Sequence, residues 1–172
     1  WVIKPLWSPV VDILRTRRWW IWFTQLLLGA GFAMVALTLP TEMFFKASLA
    51  VFYLIAFSSA THDIAADGYY LLATTEKEQA FFVGLRSAFY RLAMIFGSGL
   101  LVYLAGRIET ATGNIPLSWT VVLGVCGVLF LAAFVYHSFI LPHPDSDAER
   151  PTSSRAPSVP FREVFAAYFR QE

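Results

Sequence analysis

The sequence predicts an all-α membrane protein, an antiparallel bundle of transmembrane helices. Three observations carry that expectation. The 172 residues are 57% hydrophobic and 17% aromatic, with mean hydropathy +0.57, more apolar than the roughly 45–50% of soluble domains. Four apolar stretches reach the length of roughly 20 residues that a hydrocarbon core of about 30 Å demands. Short turns of polar, Gly and Pro residues separate them, so consecutive helices run antiparallel.

The elements follow in order. Trp1–Val11 is apolar apart from Lys4 and Ser8, but eleven residues rise only ~16 Å as a helix, so it reads as the end of a span. The full spans are 19–39, 47–72, 81–105 and 117–141. Pro40-Thr41-Glu42, Thr74 to Glu78 and Gly113-Asn114 with Pro116 connect them. After Leu141 the chain turns polar and Pro-rich, with Pro142, Pro144, Pro151, Pro157 and Pro160, too little apolar surface to pack. Beyond it Phe161, Val164, Phe165, Tyr168 and Phe169 recur at helical spacing, as in a helix lying on a membrane or on a following domain. The expected organisation is a transmembrane bundle over 1–141, a cytoplasmic linker over 142–160 and an amphipathic helix over 161–172. The chain opens on Trp1, with neither a basic n-region nor a cleavage site behind it, and is expected to be a fragment.

Charge orients the bundle and excludes several classes. Arg15, Arg17, Arg18, Lys77, Arg150, Arg155, Arg162 and Arg170 fall on one side of the predicted spans, Lys46 and Arg107 on the other, so the first group is expected in the cytoplasm. A net charge of +1 argues against a nucleic-acid partner. The single Cys126 excludes an intrachain disulfide or thiolate metal cluster, and the three histidines are scattered. No covalent catalytic arrangement is visible, and no cofactor is expected.

Ionisable residues within spans are the candidate functional groups, because each costs at least ~2.5–3.5 kcal/mol to insert. Span 19–39 has none. Span 117–141 has only His137, near its end, where snorkelling explains it. Span 47–72 holds His62, Asp63 and Asp67, and span 81–105 holds Arg86 and Arg91. Counted from the cytoplasmic ends, Asp63 and Arg91 share a layer ~13–15 Å deep, Lys4 returns to ~12 Å, and Asp67 and Arg86 lie at ~7.5 Å. Asp63 and Asp67 are i, i+4 on one face, with Ser59 and Tyr70. Two acids against three bases leave one positive charge over, which favours an anionic solute. For Asp67 and Arg86 a closed salt bridge is the better reading; for Asp63 and Arg91, function. His62 beside Asp63 suggests proton relay, yet adjacent helical residues point ~100° apart.

Smaller signals describe packing. Gly29 with Ala33, and the run Gly97-Ser98-Gly99, allow helices to approach closely. Trp1, Trp7, Trp19, Trp20 and Trp22 are expected as an aromatic belt at the cytoplasmic boundary.

These residues also carry a resemblance. Lys4-Pro5-Leu6-Trp7-Ser8-Pro9-Val10-Val11-Asp12 with Arg15, Arg17 and Arg18 resembles the signature between the second and third helices of the major facilitator superfamily. The closer resemblance is to its AmpG-type muropeptide permeases and related acetyl-coenzyme A transporters. Ser59 to Tyr69 is similar to the fourth-helix motif of both groups, and Tyr90-Arg91-Leu92-Ala93-Met94 to a fifth-helix segment of the muropeptide permeases. His62 stands where that motif usually has Gln, and Arg86 lies outside the pattern.

The resemblance implies part of the N-terminal six-helix half of a twelve-helix fold, from the end of helix two through helix six, with helices three and six on the outside. It implies a proton-coupled symporter in the bacterial inner membrane, importing an anionic solute such as muropeptides. Its partners are the lipid bilayer, the solute, protons and a C-terminal half of the same chain. Lys4, His62, Asp63, Asp67, Tyr90 and Arg91 would line the substrate and proton pathway, and Asp12, Arg15, Arg17 and Arg18 would form a gate. Another organic anion, such as a sugar acid or coenzyme A thioester, or a non-transporting sensor or scaffold, are the alternatives.

Overall fold

The computed structural model describes Trp7, Val11, Leu14–His143 and Asp147. Four long helical stretches account for nearly all of it, with no strand among the described residues. They are α1 (Arg17–Thr38), α2 (Phe44–Ala73), the continuous run of α3 (Glu76–Ile95), a π-helical segment (Phe96–Leu101) and α4 (Val102–Thr112), and α5 (Ile115–Ile140). Each is long and apolar enough to cross a membrane. The expected amphipathic helix at 161–172 lies outside the described residues, as does the 142–160 linker apart from Pro142, His143 and Asp147.

Local chemistry sets the ends. Thr16 caps α1 by accepting from the Trp19 amide at 3.2 Å. Thr75 and Glu78 form a capping box that starts α3. Gly113, at φ 66°, terminates α4 in the left-handed region that glycine tolerates, and Asn114 caps α5 with Pro116 in its first turn. Gly106 alone does not end the helix, so the run expected to stop at Ala105 continues to Thr112, where Gly113 ends it. The α3–π–α4 run is 37 residues long, or ~55 Å, so its ends project beyond a ~30 Å core.

The core lies where α1 packs along both α2 and α5, with α4 against α5. Leu28, Val35 and Ile55 form one buried cluster; Val11, Ile21, Ala65 and Tyr69 form another towards the end that carries Arg17. In the family pattern α1 would be an outer helix; within this chain it is the most enclosed. Small residues make the close packing possible: a Cβ on Gly29 would lie 2.8 Å from Leu131, and one on Gly127 would lie 3.1 Å from the Gly29 carbonyl and 3.2 Å from the Ala33 amide. Gly29 and Ala33 therefore do what their spacing predicts. Gly97 and Gly99 do not. Nothing lies within 4 Å of a Cβ at either; they sit in the π-helical segment, where the backbone departs from α geometry.

The helix α3 differs from the rest. None of its residues is buried, and it makes no extended packing with α2. The two meet at their shared turn, where the Tyr70 hydroxyl donates to the Gln79 carbonyl at 2.6 Å. A tight turn brought α2 and α3 together at one end without making them neighbours along their length.

Two opposite ends are well defined. At one, Arg18 donates to the carbonyls of Leu141 (2.9 Å) and Ser138 (2.8 Å), and Tyr69 to that of Pro142 (3.0 Å). At the other, Thr38 meets Ser48 at 3.0 Å and Thr120 donates to the Ala36 carbonyl. Arg15, Arg17, Arg18 and Lys77 share the first end and Lys46 and Arg107 the second, as the charge pattern predicts.

Candidate functional site

The acidic stripe lies on α2. Its Ser58, Thr61, Ala65, Gly68 and Tyr69 are buried, so the chain's core holds that side of the helix and leaves Asp63, Asp67 and Tyr70 half-buried at its edge. Asp67 forms the expected ion pair, its Oδ1 2.5 Å from Nη2 of Arg86, with side chains 47% and 63% exposed. A pair this open, near a helix end, is worth little more than ~1 kcal/mol.

Asp63 and Arg91 are not brought together. Matched depth was the expectation, but α3 begins at Glu76, five residues before the expected start of its span, so Arg91 lies farther from the shared turn than Asp63 does; α3 also makes no extended packing with α2, and Arg91 and Tyr90 stand exposed on it. Even matched depth along two helices does not make their side chains face each other. Lys4 and Asp12 lie outside the described residues.

Of the residues expected to form a gate, Arg15, Arg17 and Arg18 are engaged inside the bundle. Arg15 lies over the Trp19 ring at 5.9 Å. Arg17 crosses α2 at Gly68, where a Cβ would overlap its guanidinium. Arg18 closes the C-terminal end of α5 through two carbonyls, a favourable place for a cation. A residue that sequence reasoning missed completes this end: the Asp147 carboxylate accepts from the amides of Arg17 (2.8 Å) and Arg18 (3.0 Å). In the sequence it is one acid in a Pro-rich tail, and nothing in its spacing announces a distant helix N-terminus.

His62 projects away from the acidic stripe, as adjacency on a helix requires, and meets Gln25 of α1 at 3.3 Å. Gln25 also contacts His137 of α5, whose Nδ1 lies 3.0 Å from its Oε1. His137 is therefore not a snorkelling side chain but a member of a three-helix polar bridge. Gln25 was overlooked because it carries no charge; the available signal was one amide in an otherwise apolar span, where such groups bond between helices. Trp7 departs from the belt as well: it stacks on Phe57, midway along α2, with ring centroids 5.4 Å apart. Trp20 donates to the Val11 carbonyl at 3.0 Å, so part of the tryptophan cluster is packing.

An apolar cavity of about 470 Å³ opens between the π-helical segment and α5, lined by Phe32, Phe96, Leu101, Trp119 and Phe130. Its lining is almost wholly apolar and carries no charged side chain. Among the described residues no group of three His, Cys, Asp or Glu could hold a metal.

The chain matches a family model along its whole length and known proteins along most of it. A model of the Major Facilitator Superfamily covers residues 1–172. The anhydromuropeptide permeases of two strains of Escherichia coli are each 28% identical to it over an alignment 172 positions long that covers 96% of this chain and 33% of theirs. An uncharacterized protein of Haemophilus influenzae is 31% identical over 136 residues, 76% of this chain and 32% of that protein. The chain thus spans about one third of the length of these relatives. No solved structure matches. Four apolar helices with charged residues sorted to opposite ends make this a multi-pass membrane protein, and the family model matches every residue: the chain belongs to the major facilitator superfamily.

Proposed function

We propose that this chain is part of a proton-coupled symporter that imports an anionic organic solute across the bacterial inner membrane, by alternating access between two helical bundles. Muropeptides, which carry carboxylates, are the solute class we favour. The observation that carries this reading is the acidic stripe of Asp63 and Asp67 on a helix long and apolar enough to cross a membrane, in a chain whose relatives include anhydromuropeptide permeases. An ionisable group within an apolar span is costly unless it serves a function, and a carboxyl group is chemically able to carry a proton. Asp63 is the coupling acid. Asp67, held by Arg86, anchors the cytoplasmic end of the stripe.

Arg91 and Tyr90, exposed on α3, and Lys4 supply the solute-facing groups. Asp12 with Arg15, Arg17 and Arg18 forms the cytoplasmic gate, and a C-terminal half of the same chain closes the pathway. The test is uptake of labelled muropeptide into vesicles holding the full-length protein under an imposed pH gradient. Asp63→Asn should abolish uphill accumulation and retain some downhill exchange, while Arg91→Ala should weaken solute affinity. Undiminished accumulation by Asp63→Asn sinks the assignment of Asp63.

A further inference from the structure

The polar bridge at Gln25 ties together three helices at the level of the acidic stripe. Gln25 is only 5% exposed. Its Nε2 lies 3.3 Å from Nε2 of His62 and 2.9 Å from Nδ1 of His137, and its Oε1 lies 3.0 Å from that same Nδ1. One proton arrangement gives each histidine one bond to Gln25: His137 Nδ1–H donates to Oε1, and the amide donates to Nε2 of His62, whose ring proton then resides on Nδ1; the approach of the amide nitrogen to the protonated Nδ1 of His137 is then a close contact and not a hydrogen bond. Only a carboxamide of this length serves both rings. Methionine offers neither bond, and glutamate offers only the acceptor. Gln25 lies eight residues into α1, ~12 Å from its start, where water does not replace a lost partner.

The bridge controls direction. The helix α2 packs along α1 but not along α3, so its rotation about its own axis is set on the α1 side. His62 and Asp63 are consecutive, so a fixed azimuth for one fixes the other ~100° away. The titratable groups around the His62 ring are Asp63 and Asp67 on its own helix and His137 on α5, while α1 presents the neutral amide.

We infer that Gln25 is a positioning residue for Asp63: by bonding His62 and His137 at once, it holds α2 in the rotation that aims the acid. The inference rests on the reading of Asp63 as the coupling acid. It is tested in vesicles with full-length protein, by the ratio of pH-driven accumulation to downhill exchange, each normalised to correctly folded transporter. Gln25→Met removes both bonds and should lower that ratio at least about tenfold, the factor expected for even one hydrogen bond lost to a buried partner.

A helix that is merely less stable would lower folded yield and leave the ratio alone, so an unchanged ratio in Gln25→Met overturns the inference. If Gln25→Met does not fold, His137→Phe removes one arm of the bridge and must show the drop; a full ratio there overturns it equally. Asp63→Asn separates the two levels. Loss of accumulation in Asp63→Asn with a normal ratio in Gln25→Met defeats the positioning role alone, and retained accumulation in Asp63→Asn defeats the coupling assignment.

Discussion

Asp147→Ala should loosen the first turn of α1 selectively, and by an amount the geometry allows to be worked out. The amides of residues 17 to 20 are all satisfied: Arg17 and Arg18 by the two Asp147 oxygens, Trp19 by the Thr16 hydroxyl and Trp20 by the Thr16 carbonyl. Removing the carboxylate strands two of the four. Loss of a side-chain cap costs ~0.5–2 kcal/mol, and loss of an anion at a helix N-terminus adds ~0.3–1 kcal/mol. Asp147 is half-buried, so a value near the middle, ~2 kcal/mol, is reasonable after allowance for screening. In hydrogen exchange that corresponds to roughly thirtyfold faster exchange at Arg17 and Arg18. The measurement is exchange mass spectrometry on the full-length protein in lipid nanodiscs, following peptides that cover 15–20. Asp147→Asn keeps an acceptor without the charge and should show roughly fivefold, from ~1 kcal/mol. Unchanged exchange at Arg17 and Arg18 in Asp147→Ala would refute the cap, and equal acceleration along all of α1 would show global destabilisation instead.

Three further outcomes are expected. Gly127→Ala should lower the melting temperature of the full-length protein, because the new Cβ meets backbone at 3.1 and 3.2 Å and overpacking costs ~1–3 kcal/mol; Gly84→Ala, with nothing within 4 Å, should raise it through the ~1 kcal/mol gain in helix propensity. Single cysteines at Thr16 and Thr75, in a Cys126→Ala background, should be labelled only from the cytoplasm and those at Thr41 and Asn114 only from outside, since the structure sets these pairs at opposite ends; labelling of Thr16 and Thr41 from one side would contradict it. A double-mutant cycle with Asp67→Asn and Arg86→Gln should give a coupling of no more than ~1 kcal/mol in detergent, as suits a half-exposed pair, and ~3 kcal/mol or more would mean that the pair is enclosed.

The amino-acid sequence by itself determined the elements and their sorting. Twenty-odd apolar residues between turn signals admit only a helix in lipid, so the four spans, their antiparallel order and the segregation of basic residues were legible. So were local relations that helical periodicity dictates: Asp63 and Asp67 on one face, His62 turned from them, and Gly29 with Ala33 as a close-packing seam. The Asp67–Arg86 pair was within reach because both residues lie near the turn that joins their helices.

Tertiary structure decided whatever depends on azimuth and on partners distant in sequence. Depth follows from counting 1.5 Å per residue once the helix ends are known, but the direction a helix faces follows from its packing; Asp63 and Arg91, expected in one layer, do not meet. Gln25 acquired meaning only when α2 and α5 delivered His62 and His137 to it, and Asp147 only when the chain after α5 returned to the start of α1. Gly97 and Gly99 looked like a packing seam and proved to lie in a π-helical segment open to its surroundings, because small residues permit close approach but do not supply a neighbour. A hydrophobic pattern fixes which residues leave water; which of them touch is a property of the assembled bundle.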